Sequence, residues 1–290
     1  MGSKPDLSID SKAKLNNGIE IPHLGLGTWV GTSNPTPGST KRAVLHALKT
    51  GYRHVDTAKI YGNEGEVGEA ARESGLSREE VFVTTKLWNG DQGYDTVLEA
   101  FEKSLKRLGF SFLDLYLIHW PVEKRRLESW KALEKLLNEG KCRAIGVSNF
   151  TEVHLEELIE NSSIVPSVNQ VEFSPYLNQE NLLNFCRSHG IWLEAYSPLT
   201  RGKKLRDPKL MEIAQRYAKT SAQVLIRWAL QKEMIVLPKS FDVKRIEENS
   251  NIYDFKIADR DMKVLDSMNE NLRNSWDPYA TEDMRAFSSF

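Results

Sequence analysis

Eight short apolar runs, rich in Val, Ile, Leu and Tyr, recur along the chain with longer segments of helical spacing between them. They lie at 24–29, 54–57, 81–86, 113–119, 143–148, 167–172, 191–197 and 235–239. This alternation constrains the fold more than any other feature. Each crossover returns the chain to the same end of the sheet, so neighbouring strands pair in parallel. Closed, such a sheet is a (β/α)8 barrel of the TIM type; left open, it is doubly wound. A length of 290 residues suits the barrel, for which about 250 is typical. No linker or composition break divides the chain, so a single barrel domain over 1–290 is expected.

The segments between the runs are amphipathic. Val97, Phe101, Leu105 and Leu108 recur at spacings of three and four, which places one apolar face on a helix. Leu127, Trp130, Leu133 and Leu137 do the same, as do Leu210, Ile213, Ala214 and Tyr217. Ser77-Arg78-Glu79-Glu80 and Thr151-Glu152 read as helix starts, and Gly109, Gly140 and Gly190 as stops. Near the N-terminus, Asn17-Gly18 predicts a β-hairpin turn. The polar stretch 1–14 is expected to be flexible. The segment 249–290 exceeds the eight units and is expected to form an extra helix and an irregular tail over the barrel mouth.

A formal net charge of −1 provides no basic field to recruit nucleic acid or an acidic membrane. No apolar run approaches the roughly 20 residues of a bilayer span, and the N-terminal stretch lacks the apolar centre of a signal peptide. Cys142 and Cys186 are far apart and form no C-x-x-C pair, which fits two reduced thiols in a cytoplasmic protein. Nothing points to an obligate interface or a metal, so a monomer with no bound metal is expected.

Position singles out the reactive residues. Asp56, Lys86, His119, Asn149, Gln170, Tyr196 and Lys239 each fall at or just beyond the C-terminal end of a different run, where barrel enzymes build their sites. Tyrosine, with a reference pKa of about 10, is a poor acid or base at neutral pH unless its surroundings change. An ammonium nearby lowers that value. Tyr61 with Lys86 beside it, Asp56 holding the lysine and His119 donating to a substrate oxygen would form a proton donor and an orienting group next to a carbonyl. Spacing alone leaves the plainer alternative open: a structural Asp–Lys pair and a packed histidine.

Asp56-Thr57-Ala58-Lys59-Ile60-Tyr61-Gly62-Asn63-Glu64 resembles the D-T-A-x-x-Y-x-N-E segment of the aldo-keto reductase family. Thr85-Lys86-Leu87-Trp88, Leu117-Ile118-His119-Trp120-Pro121 and Gly146-Val147-Ser148-Asn149-Phe150 look like the motifs that follow it. Asn169-Gln170-Val171-Glu172, Ala195-Tyr196-Ser197-Pro198-Leu199 and Pro238-Lys239-Ser240 complete the family's order. The resemblance implies a catalytic tetrad of Asp56, Tyr61, Lys86 and His119, with reversible hydride transfer between a carbonyl and an alcohol. It also implies NADPH as cofactor. Ser148, Asn149 and Gln170 would hold the nicotinamide carboxamide, with Tyr196 stacked on its ring, Thr28 and Trp29 beside it, and Ser197 and Leu199 along the pyrophosphate. Lys239, Ser240, Arg245, Glu248 and Asn249 match the segment at the adenosine end.

No G-x-G-x-x-G loop in the proper strand-helix setting competes with this assignment. Lys239, Ser240 and Arg245 can pair with a 2′-phosphate, and charge-assisted bonds contribute on the order of 1.5–3 kcal/mol each, so NADPH is expected over NADH. Trp29, Trp88 and Trp120 would line the substrate pocket with His119. The short connections after Pro121 and over 200–207 resemble the compact family members, such as 2,5-diketogluconate reductases and prostaglandin F synthase-like enzymes. They imply an open mouth and broad acceptance of small carbonyls. Many relatives have His before Pro in N-Q-V-E-x-H-P, whereas this chain has Ser174. A catalytically idle cofactor-binding relative and a phosphate-binding barrel enzyme are the rival readings.

Overall fold

The computed structural model describes residues 7–31 and 36–280. Strands β1 (Lys12–Lys14) and β2 (Glu20–Pro22) form an antiparallel hairpin. Its turn is the predicted one, with Leu15 N–H donating to Ile19 O at 2.8 Å and Gly18 at φ 87°. The expectation of a flexible 1–14 is corrected for its later part: Lys12–Lys14 carries a ladder and Ala13 is buried. Residues 1–6 lie outside the described residues. The polarity of the stretch concealed the side chains that pack, Leu7 against the core and Ala13 in the floor.

Eight parallel strands follow: β3 (Leu26–Gly27), β4 (His54–Asp56), β5 (Phe82–Leu87), β6 (Leu113–Ile118), β7 (Cys142–Ser148), β8 (Val168–Glu172), β9 (Trp192–Tyr196) and β10 (Ile235–Leu237). Each pairs with the next in chain order. Bridges Leu24↔Val236 and Gly27↔Lys239 bring β3 to β10 and close the barrel. These contacts are isolated bridges, which is why the regular ladder of β3 is shorter than the apolar run 24–29.

Helices α1 (Ser39–Lys49), α2 (Glu64–Glu73), α3 (Tyr94–Leu108), α4 (Arg126–Asn138), α5 (Glu152–Glu160) and α6 (Glu180–Ser188) each follow one strand from β3 to β8. The pair α7 (Pro208–Arg216) and α8 (Ser221–Gln231) follows β9, and α9 (Val243–Ser250) and α10 (Asp259–Asp266) follow β10. The predicted faces are the buried ones: Val97, Phe101 and Leu108 are fully enclosed, and Gly109 ends α3 at φ 68°. Gly68 lets α2 touch α3 backbone to backbone, since a Cβ there would meet Leu108 O at 1.9 Å. One cap differs. Ser77 and Glu80 do form a capping box, but it closes a single 3-10 turn, Arg78–Glu80. Val81 is already extended and Phe82 N–H donates to Arg53 O, so the chain enters β5 at once.

Side chains alternate across each strand, and the inward set changes character with height. Phe82 leads up to Thr84 and Lys86, Leu115 to Leu117 and His119, Val168 to Gln170, and Trp192 to Glu194 and Tyr196. At the bottom, Ala13, Leu15 and Ile21 of the hairpin pack with Phe82, Leu115, Leu117, Ala144, Val168 and Ile235, sealing the floor. The outward set, including Val55, Val83, Tyr116, Ile145 and Val147, packs under the helices. At the top, Glu172 anchors the C-terminal segment: its carboxylate accepts from Asn274 N–H at 2.9 Å, Asn274 Nδ2 at 2.8 Å and Ser275 N–H at 2.9 Å. The described part of the tail therefore crosses the mouth as expected; residues 281–290 lie outside the described residues.

Candidate active site

Three strand ends, those of β4, β5 and β6, bring the predicted tetrad together. Lys86, fully buried near the top of β5, donates from Nζ to Asp56 Oδ1 (2.6 Å), Asp56 Oδ2 (2.8 Å) and Thr57 O (2.9 Å). Those acceptors account for all three ammonium hydrogens. Tyr61 closes the 3-10 turn Lys59–Tyr61 just after β4, where Gly62 takes φ 68° and turns the chain into α2. Its ring meets His119 edge-on, with centroids 5.9 Å apart, and Lys86 Nζ lies 5.1 Å from its centroid.

The electrostatics differ from the sequence expectation in one respect. The sequence predicts that Lys86 brings the Tyr61 phenol down towards neutrality. The lysine is instead neutralised by Asp56, and Tyr61 is pushed well above its usual value, first by burial and then by the Asp56 charge. Tyr61 thus stays protonated. His119 is held well below its usual value by burial and then by the Lys86 charge, so its imidazole is neutral. His119 Nδ1 is buried with no partner among the described residues. Asp56 itself is pushed up by burial and pulled back by the ammonium it holds.

The residues expected at a carboxamide lie beside the tetrad and bond to one another. Ser148 Oγ donates to Gln170 O at 2.8 Å, Asn149 Nδ2 donates to Ser148 Oγ and His119 O at 3.0 Å, and Tyr196 Oη donates to Asn149 Oδ1 at 2.8 Å. Gln170 Nε2 donates to Asp56 Oδ2 and to Glu194 Oε2, which leaves its Oε1 as the end able to accept from a ligand. Thr28 lies beneath, its hydroxyl bonded to Asp56 O at 2.9 Å. Ser174 is buried, its backbone bridged to Leu177 in the β8–α6 connection.

A basic cluster occupies the neighbouring rim. The Lys239 ammonium sits below its usual value, from loss of solvent and then from the Arg201 and Arg245 guanidiniums. Ser240 Oγ accepts from Asp242 N–H, and Asp242 caps α9 through Arg245 N–H. Within α9, Asn249 is buried and Glu248 accepts from Thr220 Oγ1 at 2.7 Å, so Glu248 is engaged with the start of α8. The turn after β9 is bent sharply, with Ser197, Thr200 and Arg201 all at positive φ and Leu199 between them. It brings Arg201 over the Trp29 ring at 4.4 Å. Arg201 was not anticipated, because a cation in a surface turn carries no local signal of what it faces.

The aromatic wall is also larger than predicted. Trp88 packs edge-on to His119 at 5.4 Å, and Trp276 joins both Trp88 (6.5 Å) and the buried Trp120 (5.9 Å). Trp276 comes from the tail that Glu172 anchors through Asn274 and Ser275, 102 and 103 positions away in sequence, a contact that no periodicity marks.

The sequence profile of the aldo/keto reductase family matches residues 23–270. The chain belongs to the aldo/keto reductase family. It is 49% identical over 267 residues to a glyoxal reductase of Bacillus subtilis, covering 92% of this chain and 95% of that protein. A 9,11-endoperoxide prostaglandin H2 reductase of Trypanosoma cruzi is also 49% identical over 267 residues, covering 91% and 93%. Among solved structures, a Bombyx mori aldo-keto reductase in complex with NADP superposes with a TM-score of 0.86 at 37% identity, over 91% of this chain and 94% of that one. As an aldo-keto reductase the chain is an oxidoreductase, and its mouth is the natural place to look for carbonyl chemistry.

Proposed function

We propose that this aldo-keto reductase reduces small aldehydes and ketones to alcohols with NADPH, using Tyr61 as general acid. The observation that carries the proposal is a phenol kept protonated beside a neutral imidazole at the open end of the barrel. A carbonyl oxygen set between Tyr61 and His119 would accept a hydrogen bond from each. As the carbonyl carbon gains a hydride, the oxygen becomes an alkoxide and takes the Tyr61 proton. The tyrosinate is then reprotonated from solvent. Asp56 and Lys86 fix the electrostatic background of that transfer.

The donor set fits a phosphorylated dinucleotide. Lys239, Arg201 and Arg245 converge with no carboxylate partner among the described residues, an arrangement that favours an anion. They would hold the phosphates and the 2′-phosphate that distinguishes NADPH from NADH. Ser148, Asn149, Gln170 and Tyr196 would hold and face the nicotinamide. Bound there, the cofactor supplies the hydride.

Trp88, Trp120 and Trp276 would offer an apolar wall to the substrate, and the short connections leave the mouth open to varied small carbonyls. The name of the Bacillus subtilis relative supports an α-dicarbonyl among them. NADPH consumption with glyoxal, methylglyoxal and benzaldehyde tests the proposal. Turnover of at least one is the expected outcome; binding of NADPH without turnover of any would overturn it in favour of a cofactor-binding relative.

A further inference from the structure

Beneath the tetrad the barrel holds a second carboxyl, for which the reduction has no use. Glu194 stands mid-strand in β9, fully buried. Its Oε2 accepts from Gln170 Nε2 at 2.6 Å, and the same amide nitrogen donates to Asp56 Oδ2 at 2.8 Å. Gln170 thus bridges the two carboxyls. Glu194 Oε1 has no hydrogen-bond partner among the described residues, and His54 Nε2 lies 3.7 Å away, occupied by Thr84 Oγ1 at 3.1 Å. On the other flank β10 brings only Ile235, Val236 and Leu237. The titratable groups around Glu194 are therefore Asp56 and His54 from β4, Lys86 from β5 and Tyr61 from the turn that follows β4.

Two buried carboxyls share one ammonium. Lys86 lies against both oxygens of Asp56 and bonds neither oxygen of Glu194, so Glu194 is the one that keeps its proton. Burial, and then the Asp56 charge, push it up to about 8. Burial holds His54 down at about 3, so the imidazole offers no compensating charge.

We propose that Glu194 is a positioning residue acting on Tyr61 through Gln170 and Asp56: as a neutral acid it leaves the site with a single carboxylate, and on losing its proton it adds a second negative charge that holds the Tyr61 proton more tightly. This deepens the reductase proposal and rests on it. The consequence is directional. Alcohol oxidation needs Tyr61 as a base, and above about pH 8 the ionised Glu194 keeps the phenol protonated where alkali would otherwise favour the reverse reaction.

Glu194→Gln preserves the shape and removes the titration. In the holoenzyme, the rising limb of alcohol oxidation against pH should move to lower pH by about one unit, which is about tenfold in rate on the limb, as for charges several ångströms apart at an effective dielectric of about 20–40. The KM for the carbonyl should not move. An unshifted limb overturns the proposal. Infrared difference spectra of the wild-type protein against pH supply a readout that does not depend on the variant folding. A protonated-carboxyl band absent from Glu194→Gln should persist through neutral pH, and its absence at neutral pH overturns the proposal equally. If the wild type turns over no carbonyl, the reductase proposal falls on its own. The effect on Tyr61 is then read from the alkaline tyrosinate absorbance that Tyr61→Phe removes: Glu194→Gln must shift it to lower pH, and no shift sinks the inference.

Discussion

The floor and the rim of this barrel are built on the same strands, often two residues apart, and they are opposites. At the floor, Leu115, Val168 and Ile235 meet the hairpin's Ala13, Leu15 and Ile21 in an apolar plug. At the rim the same inward faces present Lys86, His119, Gln170 and Glu194, which satisfy one another or wait for a ligand. Burying apolar surface at the floor stabilises the fold by about 25 cal/mol per Å². Burying charge at the rim costs stability unless each group is paired. The barrel thus separates what holds it together from what it does by height along one axis.

Substitutions at the two levels should therefore read out differently. The largest effect is expected at the rim. Tyr61→Phe should lower carbonyl reduction by about two to four orders of magnitude, the usual range for a lost general acid, while the thermal midpoint and NADPH binding stay put. Turnover within tenfold of wild type would remove the proton donor from the rim. At the floor, Leu115→Ala should do the reverse, costing about 2–5 kcal/mol of unfolding free energy by urea titration, with kcat barely altered. A matching collapse of kcat would show that floor and rim are coupled. The smallest effect belongs to the solvent-facing edge of the rim. Arg245→Ala should raise the KM for NADPH about tenfold at low salt and leave that for NADH unchanged, the difference shrinking as salt is added. Equal losses for both cofactors would place Arg245 away from the 2′-phosphate.

The strands were legible because a parallel barrel buries both faces of each one, leaving continuous apolar runs bounded by polar residues. The helices were legible from one-sided periodicity, as at Val97, Phe101, Leu105 and Leu108. Local signals erred where context overrode them. The capping box at Ser77 closes only a 3-10 turn, because Val81 is already extended on the way into β5, and the polar stretch around Ala13 is tied down by β2. At the site, the ordered motifs pointed to Asp56, Tyr61, Lys86 and His119, and the fold brings them together. Arg201, Trp276 and Glu194 carry no such signal. The first two sit in irregular segments, and Glu194 is a lone acid inside an apolar strand, visible in the sequence but silent about its neighbours.

By itself the sequence determined the alternation of strands and helices, the end of the barrel that carries polar groups, and the order of the residues there. Those are properties of spacing and composition within short windows. Only the tertiary structure decided the charge states. Tyr61 is raised by its burial and then by the Asp56 charge, and Asp56 also reaches Lys86 from another strand. Which of two carboxyls keeps a proton depends on Lys86 of β5 reaching Asp56 and not Glu194. Electrostatic energy falls off with distance in space and takes no account of separation along the chain.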